Sequence, residues 1–394
     1  MKKYILLVVF VMSYVTASYA QYVHIPDANF RKALFKAGVD KNKDGKISTY
    51  EAKKKTVLRL MELKDNIWRG LNIKDLTGIE AFTELRTLDV RQNKLSKIDV
   101  SKNRKLTWFK VSDNNLRSID VTRNPLLHTF HCANNNITSI NVTKNTKLKD
   151  FNISGNKLKW LDISKNPKIS LLGCANNTLK GLSVSNNKLL TDFDCSGSGL
   201  NKIDITRNTE IVALSCFNNN FTTLDLSKNK KLVYLFCGSN RLDSLDLKYN
   251  NKIEYFDCSS NNLLKLDVTN MPRLRSLECN NNHLSVLDIS NNRKLSVLKC
   301  AGNNMSKLCV WDVKYFTENL DVDVERNVDI ISDPKFLYLE TVREVKDSVV
   351  IITVKKEDKN FSKEDEELPG YVEPSPLDPN GKYDASKLNP KKKK

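Results

Sequence analysis

Hydrophobic residues recur along more than half of this chain with a period of 21 residues. Each repeat opens with a leucine or isoleucine, and in residues 127–147 further apolar side chains follow at offsets 3, 5, 10, 13 and 15. The openers are Leu85, Leu106, Leu127, Leu148, Ile169, Leu190, Ile211, Leu232, Ile253, Leu274 and Leu295. A fixed period of this length predicts a solenoid, in which each coil buries its apolar face against neighbouring coils.

The positions within a repeat predict its local structure. Offsets 3 and 5 alternate with polar positions, as do offsets 13 and 15, so we expect two short strands per coil. Offset 3 is apolar in every repeat and is predicted to be core. Asparagine recurs at offsets 8 and 18, where the chain must turn and its backbone polar groups need partners. Because a carboxamide both donates and accepts, we predict that these asparagines satisfy the corners and bond to the next coil.

Eight of the nine cysteines share offset 5. They are Cys132, Cys174, Cys195, Cys216, Cys237, Cys258, Cys279 and Cys300. Stacked strands hold equivalent side chains about 4.8 Å apart and parallel, whereas a disulfide needs converging Cβ atoms about 3.8 Å apart. A linear row does not supply a tetrahedral zinc site either. We therefore predict small, reduced, buried thiols, and we expect only Cys309, outside the row, to be accessible or paired otherwise.

Residues 1–20 have the features of a secretory signal peptide. Lys2 and Lys3 precede an apolar stretch, and a small-residue cleavage site ends at Ala20. The apolar stretch is too short to span a bilayer, and no other segment is long and apolar enough to do so. The residue directly after the cleavage site is Gln21 and not cysteine, so a bacterial lipoprotein is not expected. The sequence therefore predicts a secreted, extracytoplasmic protein, in the periplasm or at the cell surface, without a transmembrane segment.

Residues 40–51 match the calcium loop D-x-N-x-D-G-x-I-x-x-x-E, with helical patterns on both sides. The ligand positions are occupied by Asp40, Asn42, Asp44, Lys46, Ser48 and Glu51. In this order they would supply three side-chain oxygens, a backbone carbonyl, a hydroxyl or bridging water, and a bidentate carboxylate. We predict one structural calcium ion, bound at about 10⁻⁴–10⁻³ M as in extracellular modules; a degenerate, metal-free cap is the alternative.

The composition divides the chain into six segments. We predict a signal peptide at 1–20, an EF-hand-like helical cap at 21–56, an irregular first coil at 57–84, a repeat array at 85–315 with ten full 21-residue repeats and a partial eleventh, a C-terminal cap at 316–356 and a disordered charged tail at 357–394. The caps are expected because an open solenoid end exposes apolar core. A β-hairpin around Lys346 and Asp347 is expected in the second cap, and the tail lacks the apolar residues that a core requires.

The repeat LxxLxCxxNxLxxLDVSxN, behind IPDANF, an EF-hand-type loop and LTGIEAF, resembles exported leucine-rich repeat proteins of Bacteroidota-type bacteria, loosely termed internalin-like. The resemblance covers residues 25 to about 315. It implies a leucine-rich repeat solenoid, mainly parallel β, that serves as an extracytoplasmic module for protein interaction or adhesion without catalytic activity.

Charge adds a candidate surface, because the formal net charge is +18. One basic row shares offset 17: Lys102, Arg123, Lys144, Lys165, Arg207 and Lys228. Aspartates recur at offset 14, and we expect the two rows to screen each other. We interpret this basic edge mainly as a solvated face that prevents aggregation. Binding of an acidic polysaccharide is the alternative; nucleic acid is not expected, because export separates the chain from it.

The other candidate surface is the strand face at offsets 2 and 4, which we expect to point outward, with His128 and His131 nearby. Its aromatic residues are Trp108, Tyr234, Phe236 and Tyr255. Exposed aromatic residues are enriched at binding hot spots. The sequence therefore predicts a monomeric, non-catalytic module that binds a protein or glycan, and a structural protein of the cell envelope is an alternative.

A hydrolase is the least favoured alternative. The chain has four histidines, no nucleophile with an evident base and no glycine-rich phosphate loop. Carboxylate pairs such as Asp192 and Asp194 recur through the repeat geometry. We expect them to lie on an open surface, where no burial would raise their pKa values.

Overall fold

The computed structural model describes residues 21–64, 67–319, 321–324, 328–332, 342–346 and 349–353. The predicted signal peptide and the predicted tail from 357 lie outside these residues, as does part of the predicted C-terminal cap. The chain divides into two compact units, Met1–Lys147 and Leu148–Lys394, here called the first and second units.

The first unit contains two short helices on either side of a loop near the start of its described residues. Helix α1 spans Ala28–Lys36 and helix α2 spans Thr49–Lys54. Asp27 caps α1 by accepting a backbone N–H from its first turn. Ser48 caps α2, and Glu51 returns a bond to the cap residue, which completes a capping box. The local sequence thus fixes where each helix begins.

Strands of three residues build the parallel sheet of the first unit. In the order in which they pair, they are β1 (Val57–Arg59), β4 (Thr87–Asp89), β5 (Trp108–Lys110) and β6 (Thr129–His131). An antiparallel hairpin, β2 (Met61–Lys64) and β3 (Ile67–Gly70), and a 3₁₀ helix at Ile79–Ala81 lie between β1 and β4 along the chain. The sheet is in register at the 21-residue period, so that Phe109 pairs with Phe130 and their rings stack 5.6 Å apart.

The second unit contributes nine more strands of three residues to its parallel sheet. The sheet runs through β7 (Asp150–Asn152), β8 (Leu171–Gly173), β9 (Asp192–Asp194), β10 (Ala213–Ser215), β11 (Tyr234–Phe236), β12 (Tyr255–Asp257), β13 (Ser276–Glu278), β15 (Val297–Lys299) and β17 (Asp321–Asp323). All of these neighbours pair in parallel, as expected when each strand is followed by a complete coil.

Further elements complete the second unit near its C-terminal end. They are β14 (Val286–Asp288), β16 (Lys307–Val310) and β18 (Asp329–Ser332), helix α3 (Val313–Asn319), and the strands β19 (Val342–Lys346) and β20 (Val349–Thr353). The first three strands form a second parallel sheet. The last two form an antiparallel hairpin, which the sequence predicts around Lys346 and Asp347.

The predicted core rows are buried. The side chain at offset 3 is at most 2% exposed in every repeat, from Leu88 to Leu298. The eight cysteines at offset 5 are fully buried and unbridged, and Cys309 is only half-buried. Burial raises the pKa of the thiols, as at Cys174 and Cys216, which keeps them protonated and unreactive. The interpretation as buried apolar thiols is confirmed.

The expectation of two strands per coil is wrong for most coils. Offset 15 is buried in every repeat, as at Val121, and offset 13 is buried or half-buried, as at Ile119, yet among the described residues a strand forms there only at β14 and β16. Alternation predicts burial on one side of an extended segment. A strand also needs backbone hydrogen bonds to a neighbouring segment, and most coils make these only at offsets 2 to 4.

The corner asparagines act as predicted. Asn114 donates from Nδ2 to the carbonyls of Val90, Val111 and Ser112 at 3.0–3.1 Å, and its Oδ1 accepts from Leu95 N–H at 3.0 Å. Val90 and Leu95 belong to the preceding coil. The carboxamide therefore closes its own corner and joins two coils with the same four bonds.

The offset-18 row also joins neighbouring coils. Asn124 donates to the carbonyls of Val100 and Asn103 at 3.0 and 2.9 Å. Both acceptors lie one coil earlier.

Within the described ranges, no helix has the length and apolar character needed to cross a bilayer.

Candidate binding surfaces and calcium loop

The loop between α1 and α2 is held together by its own acidic side chains. Asp40 Oδ2 accepts from Gly45 N–H at 3.1 Å. Asn42 Oδ1 accepts from Asp44 N–H at 3.2 Å, and Asp44 Oδ1 accepts from Lys46 N–H at 2.8 Å. The loop thus has the tight turn expected at Gly45, where φ is +78°.

Glu51 closes the loop from the start of α2. Its Oε1 accepts from Lys41 N–H at 2.7 Å, and its Oε2 accepts from the N–H and hydroxyl of Ser48 at 2.9 and 2.8 Å. Burial by itself raises the pKa of Glu51, but the hydrogen bonds from Ser48 and Lys41 outweigh it and leave the pKa lowered. The carboxylate is therefore charged at neutral pH and faces the first residues of the loop.

Tyr22 is a neighbour of the loop that sequence patterns do not identify. Its hydroxyl donates to Asp44 Oδ2 at 3.3 Å, and the negative charge of Asp44 raises its pKa. The adjacent Val23 N–H donates to the Ile47 carbonyl at 2.8 Å. These bonds tie the start of the described chain to the exit of the loop.

The six predicted ligand residues lie around one loop, but their carboxylates are not gathered into a cluster. No group of three or more His, Cys, Asp or Glu side chains in the described part of the chain is arranged to hold a metal ion. The residues nevertheless fit calcium chemically, because carboxylates, a carboxamide, a hydroxyl and a carbonyl are hard oxygen donors. In addition, Asp40 Oδ1 is buried and accepts no hydrogen bond from any described residue.

The predicted aromatic surface is present in the second unit. Tyr234 and Tyr255 pair across β11 and β12, and their rings stack with centroids 5.1 Å apart and planes 11° from parallel. Both are half-buried, as is Phe236 on the same strand as Tyr234. The aromatic patch, defined as Tyr234, Phe236 and Tyr255, is therefore a preorganised surface on the sheet.

Trp108 lies in the first unit and has a different environment. The ammonium of Lys110 lies 4.6 Å from the centre of its ring, a cation–π contact within the protein itself. The expectation that offset 4 points outward is wrong in this unit, where Asp89, Lys110 and His131 are 3%, 8% and 0% exposed. Neighbouring side chains cover these positions, as when Arg91 lies against Asp89.

The expectation that Asp192 and Asp194 escape burial is also wrong. Burial raises the pKa of both carboxyl groups. Each accepts one close hydrogen bond, Asp192 from the Thr191 hydroxyl at 2.7 Å and Asp194 from Ser196 N–H at 3.0 Å. No cation contributes to either shift in the described part of the chain. Two carboxylates therefore share the sheet face with the aromatic patch.

The six side chains of the predicted basic edge are exposed. In five coils the aspartate at offset 14 has a lowered pKa. The main cause is a hydrogen bond from the serine or threonine two residues later, and the positive charge of the basic residue at offset 17 lowers the pKa further. In one such coil Asp162 accepts from Ser164 and interacts with Lys165. The effect of the offset-17 residues on these pKa values has the direction expected if the two rows screen each other.

Trp160 and Phe217 are among the exposed aromatic residues that fall outside the predicted surfaces. Trp160 is 64% exposed and Phe217 is 40% exposed. Phe217 lies two residues beyond β10, at offset 6, whereas the predicted strand face comprises offsets 2 and 4. A comparison of apolar residues at every offset would have found both.

No family model and no curated protein matches the chain. Among solved structures, the functional domain of InlJ from Listeria monocytogenes, which includes a cysteine ladder, is 27% identical, with 79% of this chain and 73% of that chain covered and a TM-score of 0.67. The internalin InlF from Listeria monocytogenes is 19% identical, with coverage of 77% and 96% and a TM-score of 0.59. A leucine-rich repeat protein from Leptospira interrogans is 20% identical, with coverage of 63% and 68% and a TM-score of 0.57.

These similarities identify the fold as an internalin-like leucine-rich repeat solenoid. The resemblance inferred from the repeat motif is thereby confirmed at the level of the fold. The row of buried cysteines in the second unit also has a counterpart in the InlJ domain, whose own structure includes such a ladder.

Proposed function

We propose that the chain is a non-catalytic scaffold that binds a protein partner through the sheet face of its second unit. The observation that carries this proposal is the stacked pair of Tyr234 and Tyr255 on that face. Large rings fixed in advance lose little conformational entropy on binding, which is why aromatic residues dominate interface energetics. The similarity to leucine-rich repeat structures supports a scaffold for recognition.

The carboxylates beside the patch indicate what the partner would present. Asp192 and Asp194 on β9 are separated from the aromatic patch only by Ala213 and Ser215 on β10. Small side chains there leave space between a negative and an aromatic region. A partner with a lysine or arginine next to an apolar group would pair with the carboxylates and contact the rings.

The test is a triple variant with Tyr234, Phe236 and Tyr255 changed to alanine. We expect it to lose capture of protein ligands from a protein array, measured with the full chain. Trp108→Ala is the matched control, because that ring has its own lysine contact in the first unit. Capture by the triple variant at the wild-type level would overturn the proposal. Glycan capture by the wild type that the triple variant abolishes would replace the protein partner of the patch by a glycan.

A second candidate, binding of an acidic polysaccharide, rests on the exposed basic edge. The aspartate row weakens it, because each paired aspartate offsets part of the positive potential. Binding at this edge would fall steeply as the ionic strength rises, whereas binding at the aromatic patch would change little. Heparin-affinity elution of the wild type against an Arg123→Ala, Lys165→Ala, Arg207→Ala variant distinguishes the two.

We also propose that the loop at 40–51 binds one calcium ion with a structural role. Side-chain oxygens of Asp40, Asn42, Asp44 and Glu51, the Lys46 carbonyl and Ser48 would hold it. The bound ion would supply positive charge that offsets the repulsion among the carboxylates. The buried Asp40 Oδ1 without a hydrogen-bond donor supports this assignment.

The calcium proposal is tested with Glu51→Gln, which can keep the capping bond but loses the charge. We expect isothermal titration to show one weak site in the wild type and none in the variant. Glu62→Gln is the control, since Glu62 is paired with the exposed Lys36 outside the loop. A wild-type chain that binds no calcium would overturn the assignment and leave the metal-free cap.

Export is a proposal that rests on the sequence of residues 1–20. An extracytoplasmic location fits both a calcium loop of low affinity and a role in adhesion. N-terminal sequencing of the exported protein should start at Gln21, and retention of Met1 would contradict the proposal.

Hydrolysis is the alternative that the raised pKa values of Asp192 and Asp194 support, because such shifts also occur at catalytic carboxyl groups. We propose instead that they are binding groups, since they lie on a sheet face beside the aromatic patch. Turnover of a polysaccharide substrate that disappears in Asp192→Asn or Asp194→Asn would establish the enzyme instead.

A further inference from the structure

One corner of the second unit departs from the repeat. The offset-8 asparagine is replaced by Ser198, and glycine stands on each side of it at Gly197 and Gly199. In the neighbouring coils the residue equivalent to Gly199 has a side chain, Thr178 on one side and Asn220 on the other. A Cβ atom added at Gly199 would meet no atom within 4 Å, so the space that a side chain would fill at this position is open.

Gly199 lines a cavity of about 480 Å³. Its walls are Asn177, Thr178, Leu179, Gly197, Gly199, Asn218, Asn219 and Asn220. The volume lies within the range of small-molecule sites, about 300–1,000 Å³. None of these residues carries a formal charge, and five of the eight have a carboxamide or hydroxyl group. The wall therefore suits a neutral, polar ligand and offers no counter-charge to an ion.

The backbone at this corner leaves two polar groups without partners. In the flanking coils, Thr178 N–H donates to the Leu158 carbonyl at 3.0 Å, and Asn220 N–H donates to the Leu200 carbonyl at 2.8 Å. The equivalent bond from Gly199 N–H to the Leu179 carbonyl is not formed, and neither group bonds to another described residue.

The cause is the left-handed backbone at Gly199, where φ is +73°. Leu179 N–H donates instead to the Ser198 carbonyl at 2.9 Å. In regular coils the corresponding N–H donates to the corner asparagine, as Leu242 N–H does to Asn261. With serine in place of that asparagine, the Leu179 N–H thus donates to a backbone carbonyl. The Gly199 N–H and the Leu179 carbonyl are left as a free donor and a free acceptor in the cavity wall.

Two side chains at the rim add further hydrogen-bonding groups. Asn218 makes no side-chain hydrogen bond to any described residue, and Asn220 makes only a long one, to the Gly199 carbonyl at 3.5 Å. Asn219, by contrast, is fixed, because its Oδ1 accepts from Ser198 and Leu200 N–H groups at 3.2 and 2.9 Å. The cavity therefore combines a rigid wall with donors and acceptors that are available to a ligand.

The geometry points to a binding site for a neutral saccharide in this cavity. A sugar hydroxyl both donates and accepts, so it matches the Gly199 N–H, the Leu179 carbonyl and the two carboxamides at the rim. A peptide would need an apolar pocket for a side-chain anchor, and the only apolar residue here is the buried Leu179. The site is separate from the aromatic patch and does not depend on the function proposed for that surface.

The test fills the cavity while keeping the backbone. Gly199→Asn adds a side chain in open space, and asparagine tolerates the left-handed conformation better than other residues with a side chain. Binding is measured with the full chain by saturation-transfer NMR, using glucose, galactose, mannose, N-acetylglucosamine, maltose, cellobiose and chitobiose as probes. We expect at least one probe to bind the wild type and to bind Gly199→Asn about tenfold or more weakly.

A second variant separates the role of the rim from any effect on folding. Asn218→Gly keeps the positive φ of 53° and removes the free carboxamide, so we expect binding to weaken about fivefold. Asn134→Gly is the matched control, because it is the same change at the same offset in the first unit, where φ is 52°. It should bind as the wild type does, and circular dichroism should show all three variants folded.

Three results would overturn the inference: no probe binding to the wild type, equal binding by Gly199→Asn, or equal loss in Asn134→Gly. Retention of only peptides by the wild type on an array would overturn the saccharide assignment as well. The triple variant of the aromatic patch should keep saccharide binding. Failure of the patch proposal and failure of this one are therefore distinguishable.

Discussion

The sheet faces of the two units are built from the same repeat positions, but the carboxylates on them differ in whether a basic residue pairs with them. In the first unit Asp89 is buried and forms two bonds with Arg91, Nε to Oδ1 at 3.0 Å and Nη2 to Oδ2 at 2.9 Å. In the second unit Asp194 occupies the equivalent position, and Ser196 stands where the first unit has arginine. One residue at offset 6 therefore decides whether the carboxylate is neutralised within its own unit.

The difference indicates which charged groups can contribute to the free energy of binding a partner. A charge that is paired inside the protein has little to gain from a partner. A half-buried carboxylate without a cation has lost hydration and regains it only when a partner supplies donors or positive charge. Trp108 and the aromatic patch differ in the same sense, since Lys110 already lies against the ring of Trp108.

The largest expected effect comes from breaking the internal pair of the first unit. Arg91→Ala leaves the Asp89 carboxylate, whose side chain is 4% exposed, without its cation. We expect the free energy of unfolding to fall by about 3–5 kcal/mol, the usual cost of removing one partner of a buried pair. Urea denaturation followed by circular dichroism measures it.

The exposed Arg241→Ala is the control for that experiment and should change stability by less than about 0.5 kcal/mol. Adding Asp89→Asn to Arg91→Ala should recover much of the loss, because the unpaired charge is then gone. A loss below about 1 kcal/mol in Arg91→Ala would show that the pair is not the reason for the difference between the two faces.

Calcium should stabilise one unit and not the other. At a free calcium concentration of about 100 Kd, binding adds about 2.7 kcal/mol to the stability of the folded state. Hydrogen exchange should therefore slow in α1 and α2 of the first unit and remain unchanged in β8 to β13 of the second. Equal slowing in both units would contradict a specific site in the loop at 40–51.

The carboxylates of the second face should give a pH dependence of the opposite sign to those of the basic edge. Because burial raises the pKa of Asp194 above 3.8, the folded state holds its proton more tightly than the unfolded state. Its contribution to stability is therefore lost as the pH rises from 3.8 through the raised pKa. Asp194→Asn should abolish this loss and stabilise the protein at neutral pH by about 1 kcal/mol.

Asp162→Asn is the matched control for the pH experiment. Hydrogen bonds from Ser164 lower the pKa of Asp162, so its contribution is present above 3.8 and is lost as the pH falls through the lowered pKa. Thermal unfolding between acidic and neutral pH compares the two variants. Slopes of the same sign would mean that Asp194 does not differ from the edge aspartates.

The smallest effects are expected at exposed pairs, where the two units do not differ. Lys105 and Glu84 in the first unit and Lys231 and Glu210 in the second both approach to 2.6 Å. Lys105→Ala and Lys231→Ala should each cost less than about 0.5 kcal/mol, and added salt should remove the effect. A cost above about 1 kcal/mol at either site would show that the edges also contribute to the difference between the units.

The sequence predicted the coils well because the physical cause is local to each repeat. The apolar residues at offsets 3 and 5 and the asparagines at offsets 8 and 18 have the same surroundings in every coil, so their burial and bonding could be inferred from recurrence alone. The second strand per coil was not predictable, because alternation reveals burial but not whether a neighbouring backbone is close enough to bond.

The candidate sites depend on residues that depart from the repeat. Recurrence placed Tyr234, Phe236 and Tyr255 on one face, but it gave no sign that Arg91 covers Asp89 or that Asp192 and Asp194 are half-buried. These facts depend on which side chains meet in the folded chain, within one coil or between adjacent coils.

The sequence by itself determined the period, the core rows, the reduced cysteine ladder and the residues of the predicted calcium loop, because each follows from residue type and spacing along the chain. Only the tertiary structure decided which charges are paired, how the rings stack and where a missing side chain opens a cavity. Many of the contacts involved join residues that are 19 to 24 positions apart in sequence, as the bonds of Asn114 and Asn219 show. The repeat brings such residues together, but the individual side chains in contact there determine the chemistry.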